Sequence, residues 1–467
     1  MKDVFERVVA EPAILLEKGI EESKSAEHLL VSKTPFKLAE EYWETLGPGL
    51  TTGAADDDPS GIATYSQTGA QYGFQLLWLA AFSFPLMAVV QEMCARIGVV
   101  TGRGLAANIR HHYSRPVLYA TTMLLFAANT FNIGADLGAM AQGVRLFAPG
   151  LNAVFLILIF ACVSLLLQIF TTYARYAKYL KYLALVLFAY VFSAFLSHLD
   201  WSQVAIHSFI PSITFSKGQI FLICGILGTT ISPYLFFWQT SQEVEEEHLL
   251  TEHNKNAHAE VRKWHQHGSR WHQHVSRKDI RNLRTDVWSG MFFSNAVMFF
   301  IIAACAGTLY AHGITTITTA ADAATALRPL AGDAAYFLFA IGIVGTGMLA
   351  IPVLAGSASY AISESFGWKY GLYRKLKEAY AFYGVIIISM VLGFILNLIG
   401  LDPIKVLIYS AVANGLVAPL VLVLIVRMSS DKSIMQEYVN HPAVTWIGWL
   451  ITALMTAAGI AAIVSLF

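Results

Sequence analysis

GAADDDPSGIATYSQTGAQYG, residues 53–73, is the stretch on which the reading of this chain turns. Three consecutive carboxylates, Asp56, Asp57 and Asp58, run into Pro59, Ser60 and Gly61, with small and apolar residues on both sides over the length of a membrane span. Charge is expensive in hydrocarbon, and proline removes a backbone donor and clashes with the preceding turn. A chain that places both at mid-span is expected to unwind there. The freed carbonyls must then face protein or a water-filled cavity.

The rest of the chain supports a membrane setting. Of its 467 residues, 56% are hydrophobic and 13% charged, with a mean hydropathy of +0.55, whereas soluble domains carry roughly 25% charge. The apolar stretches are continuous rather than alternating, which predicts helices and not a barrel. Eleven spans are expected, at about 47–72 (interrupted), 76–99, 117–144, 151–172, 179–198, 218–245 (interrupted), 284–309, 333–363, 379–399, 403–427 and 442–466. Each suits a hydrocarbon core that needs about 20 residues. Cys94, Cys162, Cys224 and Cys305 form no Cys-x-x-Cys pair and read as buried free thiols. A formal net charge of zero argues against a nucleic-acid partner. No phosphate-binding loop or nucleophile–base pair appears, so neither an enzyme nor a cofactor is expected. No obligatory protein partner is implied; the bilayer and a transported ion are the expected partners.

Lys and Arg set the orientation. Alternate loops carry Arg96, Arg103, Arg110 and Arg115, then Arg175, Lys178 and Lys181, then Lys369, Arg374, Lys375 and Lys377, then Arg427 and Lys432. The loops between them, such as FAPGLN, are bare. The N-terminus is expected inside and the C-terminus outside. Residues 1–44, polar and amphipathic with no cleavable signal, read as a cytoplasmic arm. The loop at 248–283 holds His248, His253, His258, His265, His267, His272 and His274. It reads as a solvated basic connector, with metal gathering as the sharper alternative, because His-x-His is short for a zinc site.

A second break lies in GILGTTISPYLFFWQ, at Ser232-Pro233, five spans after the first. An odd number of helices per repeat inverts the second repeat, which is the pattern of secondary transporters with a midplane site. The halves are expected at 45–200 and 215–427, with an eleventh helix at 441–467. Around the two breaks the candidate ligands are all oxygens: the Asp58 carboxylate, the hydroxyls of Thr229, Thr230 and Ser232, and freed carbonyls near Ala55 and Thr229. Gly61 and the small residues beside it leave room for water. Oxygen-only sites suit hard cations such as Mg2+, Ca2+ or Mn2+. Asp56, Asp57, Asp136 and Glu92 are the other acids along the expected pathway, with Tyr234 beside the second break. Glu92 is expected to reach water at the cytoplasmic end of its span, and Asp136 to lie in the outer part of the third. A cation-coupled transporter of small organic solutes, a channel, or a sensor built on the His-rich loop would also fit broken helices.

Further motifs resemble one family. GPG (47–49), ATYSQTGAQYGFQLLW (63–78), Gln91, Arg96-Ile97-Gly98, Thr101-Gly102-Arg103-Gly104-Leu105-Ala106 and LAGSASYAISESFGW (354–368) look like the Nramp divalent metal transporters, over about residues 45–427. The resemblance implies an all-α, LeuT-type fold of inverted 5+5 helices with helices 1 and 6 broken, and transport of Mn2+ or Fe2+ with protons. It also exposes departures. Asp58 and Pro59 match, but Ser60 and Gly61 stand where the family has Gly and Asn. Ser232-Pro233-Tyr234 stands for Met-Pro-His, and the acid pair of the third helix survives only as Asp136, with Ala139 in second place. These changes resemble the prokaryotic Nramp-related magnesium transporters. That similarity implies import of largely hydrated Mg2+, and Mn2+, across the inner membrane without proton coupling.

Overall fold

The computed structural model describes residues 42–43, 45–171, 173–197, 199–254, 276–317, 320–399 and 403–465. The arm at 1–41 and most of the His-rich loop, including His258, His265, His267, His272 and His274, lie outside the described residues. From Gly47 onward the chain forms one compact unit, and its described elements are helical.

In chain order the helices are α1 (Pro48–Asp56), α2 (Pro59–Tyr72), α3 (Trp78–Thr101), α4 (Leu105–His112), α5 (Arg115–Arg145), α6 (Ala153–Phe170), α7 (Tyr173–Leu183) and α8 (Phe188–Leu196). They continue with α9 (Trp201–Phe209), α10 (Lys217–Thr230), α11 (Pro233–Asn254), α12 (Arg277–Thr308), α13 (Ala320–Phe366), α14 (Tyr380–Leu396), α15 (Pro403–Ser429) and α16 (Pro442–Ser465). Among the described residues ten helices are long and apolar enough to cross a membrane. The remaining expected span is the split pair α1 and α2, of 9 and 14 residues, each too short to cross by itself.

Both breaks follow the same local grammar. α1 ends at Asp56; Asp57 turns out of helix at φ −83°, ψ 51°; then Asp58 caps α2, which Pro59 opens. α10 ends at Thr230; Ile231 turns out at φ −115°, ψ 58°; then Ser232 precedes Pro233, which opens α11. In both, proline sits at the first helical position, where its missing N–H costs nothing and its fixed φ suits the helix. Pro59 and Pro233 therefore start second half-helices instead of kinking first ones, and Asp58 and Ser232 occupy equivalent positions.

The half-helices before the breaks are held by glycine. α1 packs on α12, and α10 on α15. A Cβ at Gly53 would lie 2.2 Å from the Gly290 carbonyl oxygen, and one at Gly228 would lie 2.1 Å from the Ala411 carbonyl oxygen. Without a hydrophobic driving force between helices in lipid, such backbone approach maximises van der Waals contact. Peripheral helices instead expose large apolar side chains, such as Phe170 on α6 and Trp446 on α16. The same placement corrects one expectation. Cys94, Cys224 and Cys305 are buried free thiols, but Cys162 is exposed, because α6 lies at the rim.

Candidate cation site at the two helix breaks

Asp58 is fully buried and ties three helices together. Its Oδ1 accepts from the Gly61 N–H at 2.6 Å and from the Ser60 hydroxyl at 2.7 Å, an N-cap arrangement that satisfies the first turn of α2. Its Oδ2 accepts from Asn132 Nδ2 on α5 at 2.7 Å. The Asn132 amide oxygen in turn accepts from the Ser410 hydroxyl on α15. Neither Asn132 nor Ser410 stood among the residues expected from sequence. The signal was present, since Asn132 and Asp136 lie four apart and so share one face of an otherwise apolar helix.

Gly61 lets oxygens from both breaks approach one another closely. The point where a Cβ would stand lies 3.0 Å from Thr229 Oγ1, 3.3 Å from the Asp56 carbonyl oxygen and 3.4 Å from Asp58 Oδ1. The two breaks therefore meet here, α10 contributing a hydroxyl, α1 a carbonyl and Asp58 its carboxylate. Thr229 Oγ1 has no hydrogen bond of ordinary geometry, and neither does the Tyr65 hydroxyl beside it. The other two hydroxyls are turned onto their own helix. Thr230 Oγ1 donates to the Ile226 carbonyl at 2.9 Å. Ser232 Oγ donates to the carbonyls of Gly228 at 2.6 Å and Thr229 at 2.7 Å. The Thr229 carbonyl is thus not free as expected, although lone pairs on Ser232 Oγ remain. Nor is the Ala55 carbonyl free, since the buried Tyr234 hydroxyl donates to it at 2.8 Å.

The remaining acids separate into two groups. Asp56, Asp57 and Asp136 are all fully buried. Asp56 Oδ2 accepts from the Ser294 hydroxyl of α12 at 2.7 Å, while its Oδ1 and both oxygens of Asp57 have no hydrogen bond of ordinary geometry, although Asp57 too lies within reach of Ser294. Asp136, in the second half of α5, pairs locally with the first break. It lies within electrostatic reach of Asp58 and of the Ser60 amide, with neither oxygen in a hydrogen bond of ordinary geometry. The helical rise puts it one turn beyond Asn132, on the face that meets the break. Among the described residues, no Lys, Arg or His contributes to the main electrostatic interactions of these four carboxylates. Buried carboxylates without a cationic partner are costly, and a cation is the natural complement.

Glu92 belongs elsewhere. It is only 8% exposed, accepts from Arg284 Nη2 at 2.8 Å and from Trp288 Nε1 at 2.8 Å, and so joins α3 to α12 rather than reaching water. Asp286, also on α12 and not foreseen, accepts from the N–H groups of Gly47, Gly49 and Leu50 at 2.8, 2.7 and 3.0 Å. It caps the start of α1 from outside, where helix N-termini leave donors unsatisfied. Among the described residues, no three His, Cys, Asp or Glu side chains are arranged to hold one metal ion. Where the two breaks come closest the donors are oxygens: the Asp58 carboxylate, the Thr229 hydroxyl and the Asp56 carbonyl.

Comparison with known proteins bears on this geometry. The model of the family described as natural resistance-associated macrophage protein-like (Nramp) matches residues 49–465. The structure is similar to that of a manganese transporter from Eremococcus coleocola, at 17% identity and a TM-score of 0.67, covering 91% of this chain and 87% of that one. It is also similar to Mhp1, a nucleobase-cation-symport-1 family transporter, at 13% identity and a TM-score of 0.56, covering 90% of this chain and 91% of that one. Both similarities describe the fold, an all-α arrangement of inverted five-helix halves with broken helices 1 and 6.

Proposed function

The chain belongs to the Nramp family, and from that premise we propose that it is an importer of Mg2+, with Mn2+ also accepted. The family and its structural neighbours are transporters, not enzymes. In this reading the cation enters from outside in partly hydrated form, is anchored by Asp58, and leaves when the half-helices of the first and sixth spans tilt to open the cytoplasmic side. The protein sits in the inner membrane of a prokaryote, N-terminus inside and C-terminus outside, with its two halves at about 45–200 and 215–427.

One observation carries the choice of ion. Around the point where a side chain on residue 61 would begin, Thr229 Oγ1, the Asp56 carbonyl and Asp58 Oδ1 converge within 3.0–3.4 Å, three hard oxygen donors from both breaks brought together by the absence of a side chain on Gly61. Mg2+ sheds water reluctantly and is commonly held by one or two carboxylates with several waters retained. With Ser232 in place of a thioether, nothing soft favours a transition metal. Tyr234 supports the absence of proton coupling: its hydroxyl is engaged as a donor to the Ala55 carbonyl, and the imidazole that serves as a proton switch near physiological pH is not present at this position.

The test is Mg2+ uptake by the purified protein in liposomes. Asp58→Ala should abolish saturable uptake while the protein remains folded. Retention of wild-type uptake would remove Asp58 from the site. Uptake of Mn2+ or Cd2+ but not Mg2+, with accompanying proton flux, would favour the proton-coupled transition-metal reading instead.

A further inference from the structure

Asp58 is unusually well supplied with donors for a residue that must also hold a cation. A carboxylate presents about four lone-pair positions over its two oxygens. Three are taken by hydrogen bonds of ordinary geometry, Ser60 Oγ at 2.7 Å and Gly61 N–H at 2.6 Å on Oδ1, and Asn132 Nδ2 at 2.7 Å on Oδ2, with the Ser60 N–H also within reach of the carboxylate. Oδ1 is full and Oδ2 keeps one position. Asn132 cannot turn its amide away cheaply, because its oxygen is held by Ser410 and the side chain is completely buried. The Gly61 donor is backbone and fixed by the start of α2.

We propose that Ser60 is a specificity-determining residue that restricts Asp58 to single-oxygen coordination, with Asn132 positioning the oxygen that remains. The idea rests on the reading of the protein as a divalent cation importer and adds what excludes the wrong ion. Ca2+ is accommodated by six to eight oxygens in a flexible shell that often includes a bidentate carboxylate, whereas Mg2+ takes an octahedral shell with shorter bonds and keeps its waters. A carboxylate that can offer one oxygen meets the second requirement and fails the first. Ser60 is the side chain that closes Oδ1, and Asn132 aims the remaining position on Oδ2. Discrimination then comes from a donor arrangement that disfavours the competitor, as well as from contacts that favour the substrate.

The test uses the full chain in liposomes and compares kcat/KM for Mg2+ and Ca2+ in the wild type, Ser60→Ala and Asn132→Leu. Ser60→Ala deletes one hydroxyl in the first turn of a helix, where alanine is well tolerated, so its folding is not in question. Asn132→Leu keeps the volume and removes the donor. Ser60→Ala, which frees Oδ1, should lower the Mg2+/Ca2+ ratio by about tenfold, the scale of one hydrogen bond to a charged group, chiefly by raising Ca2+ transport, whereas Asn132→Leu, which leaves Oδ1 closed, should lower kcat/KM for both ions together. A ratio unchanged within about twofold in Ser60→Ala, or a ratio lowered by Asn132→Leu as much as by Ser60→Ala, would overturn the proposal, since a merely structural role of Ser60 moves both ions together. Failure of the underlying reading looks different: the wild type itself would carry neither Mg2+ nor Mn2+.

Discussion

Replacing Gly61 by alanine separates stability from transport. Gly61 lies inside α2 at the third helical position and needs no left-handed backbone, so alanine keeps the conformation. In a helix interior the change stabilises by about 0.5–1 kcal/mol. Against this, the new methyl meets Thr229 Oγ1 at 3.0 Å and the Asp56 carbonyl at 3.3 Å, contacts a few tenths of an ångström too close. Thr229 is free of hydrogen bonds of ordinary geometry and can give way, at a cost of about the same size as the helix gain, since small off-rotamer shifts cost roughly 0.5–1.5 kcal/mol. The expected net change in stability is therefore within about 1 kcal/mol, a shift of only a few degrees in melting temperature. Transport is expected to respond very differently. The methyl covers faces of three oxygens that line the break, and losing even one charge-assisted contact of about 1.5–3 kcal/mol raises KM for Mg2+ by roughly ten- to a hundredfold. The assay pairs thermal unfolding of the purified variant with Mg2+ uptake in liposomes. A folded Gly61→Ala protein with wild-type KM would refute the placement of the ion against these oxygens.

Two further outcomes follow from the same geometry. Asp286→Asn should weaken the capping of α1, because an amide oxygen replaces a carboxylate that accepts three backbone N–H bonds. Loss of one such bond costs about 1.5–3 kcal/mol, and protease or thiol labelling near residues 47–52 should rise while the rest of the protein stays protected; unchanged labelling would deny Asp286 this role. Restoring sulfur and amide together, with Ser232→Met and Gly61→Asn, should shift preference from Mg2+ toward Mn2+ and Cd2+. Identical selectivity in competition uptake would argue that the hard donor set does not choose the ion.

Much of the architecture could be read in the chain itself. Span length, hydropathy and two prolines five spans apart are local signals, and local signals survive in a one-dimensional string. They marked the first and sixth spans as broken, Asp58 as the acid at the first break and Ser232 as its counterpart. The string could not say which way a hydroxyl turns. Ser232 and Thr230 bond back to their own helix, and only Thr229 faces the shared space. Ala55 looked like a free carbonyl until the fold brought Tyr234, 179 residues away, to cover it.

What the sequence by itself determined is that an acid stands where a membrane helix stops, a fact about residue type and position. Only the tertiary structure decided how much of that acid remains available. Asn132 lies 74 residues from Asp58, and Ser410 a further 278 from Asn132. The packing of α5 and α15 against the break brings them together, because a buried carboxylate in hydrocarbon must find donors wherever the fold supplies them. The same packing sent Glu92 to Arg284 and brought Asp136 to Asp58. Charge in a membrane is placed by the sequence, but its partners are chosen by helices that meet only after folding.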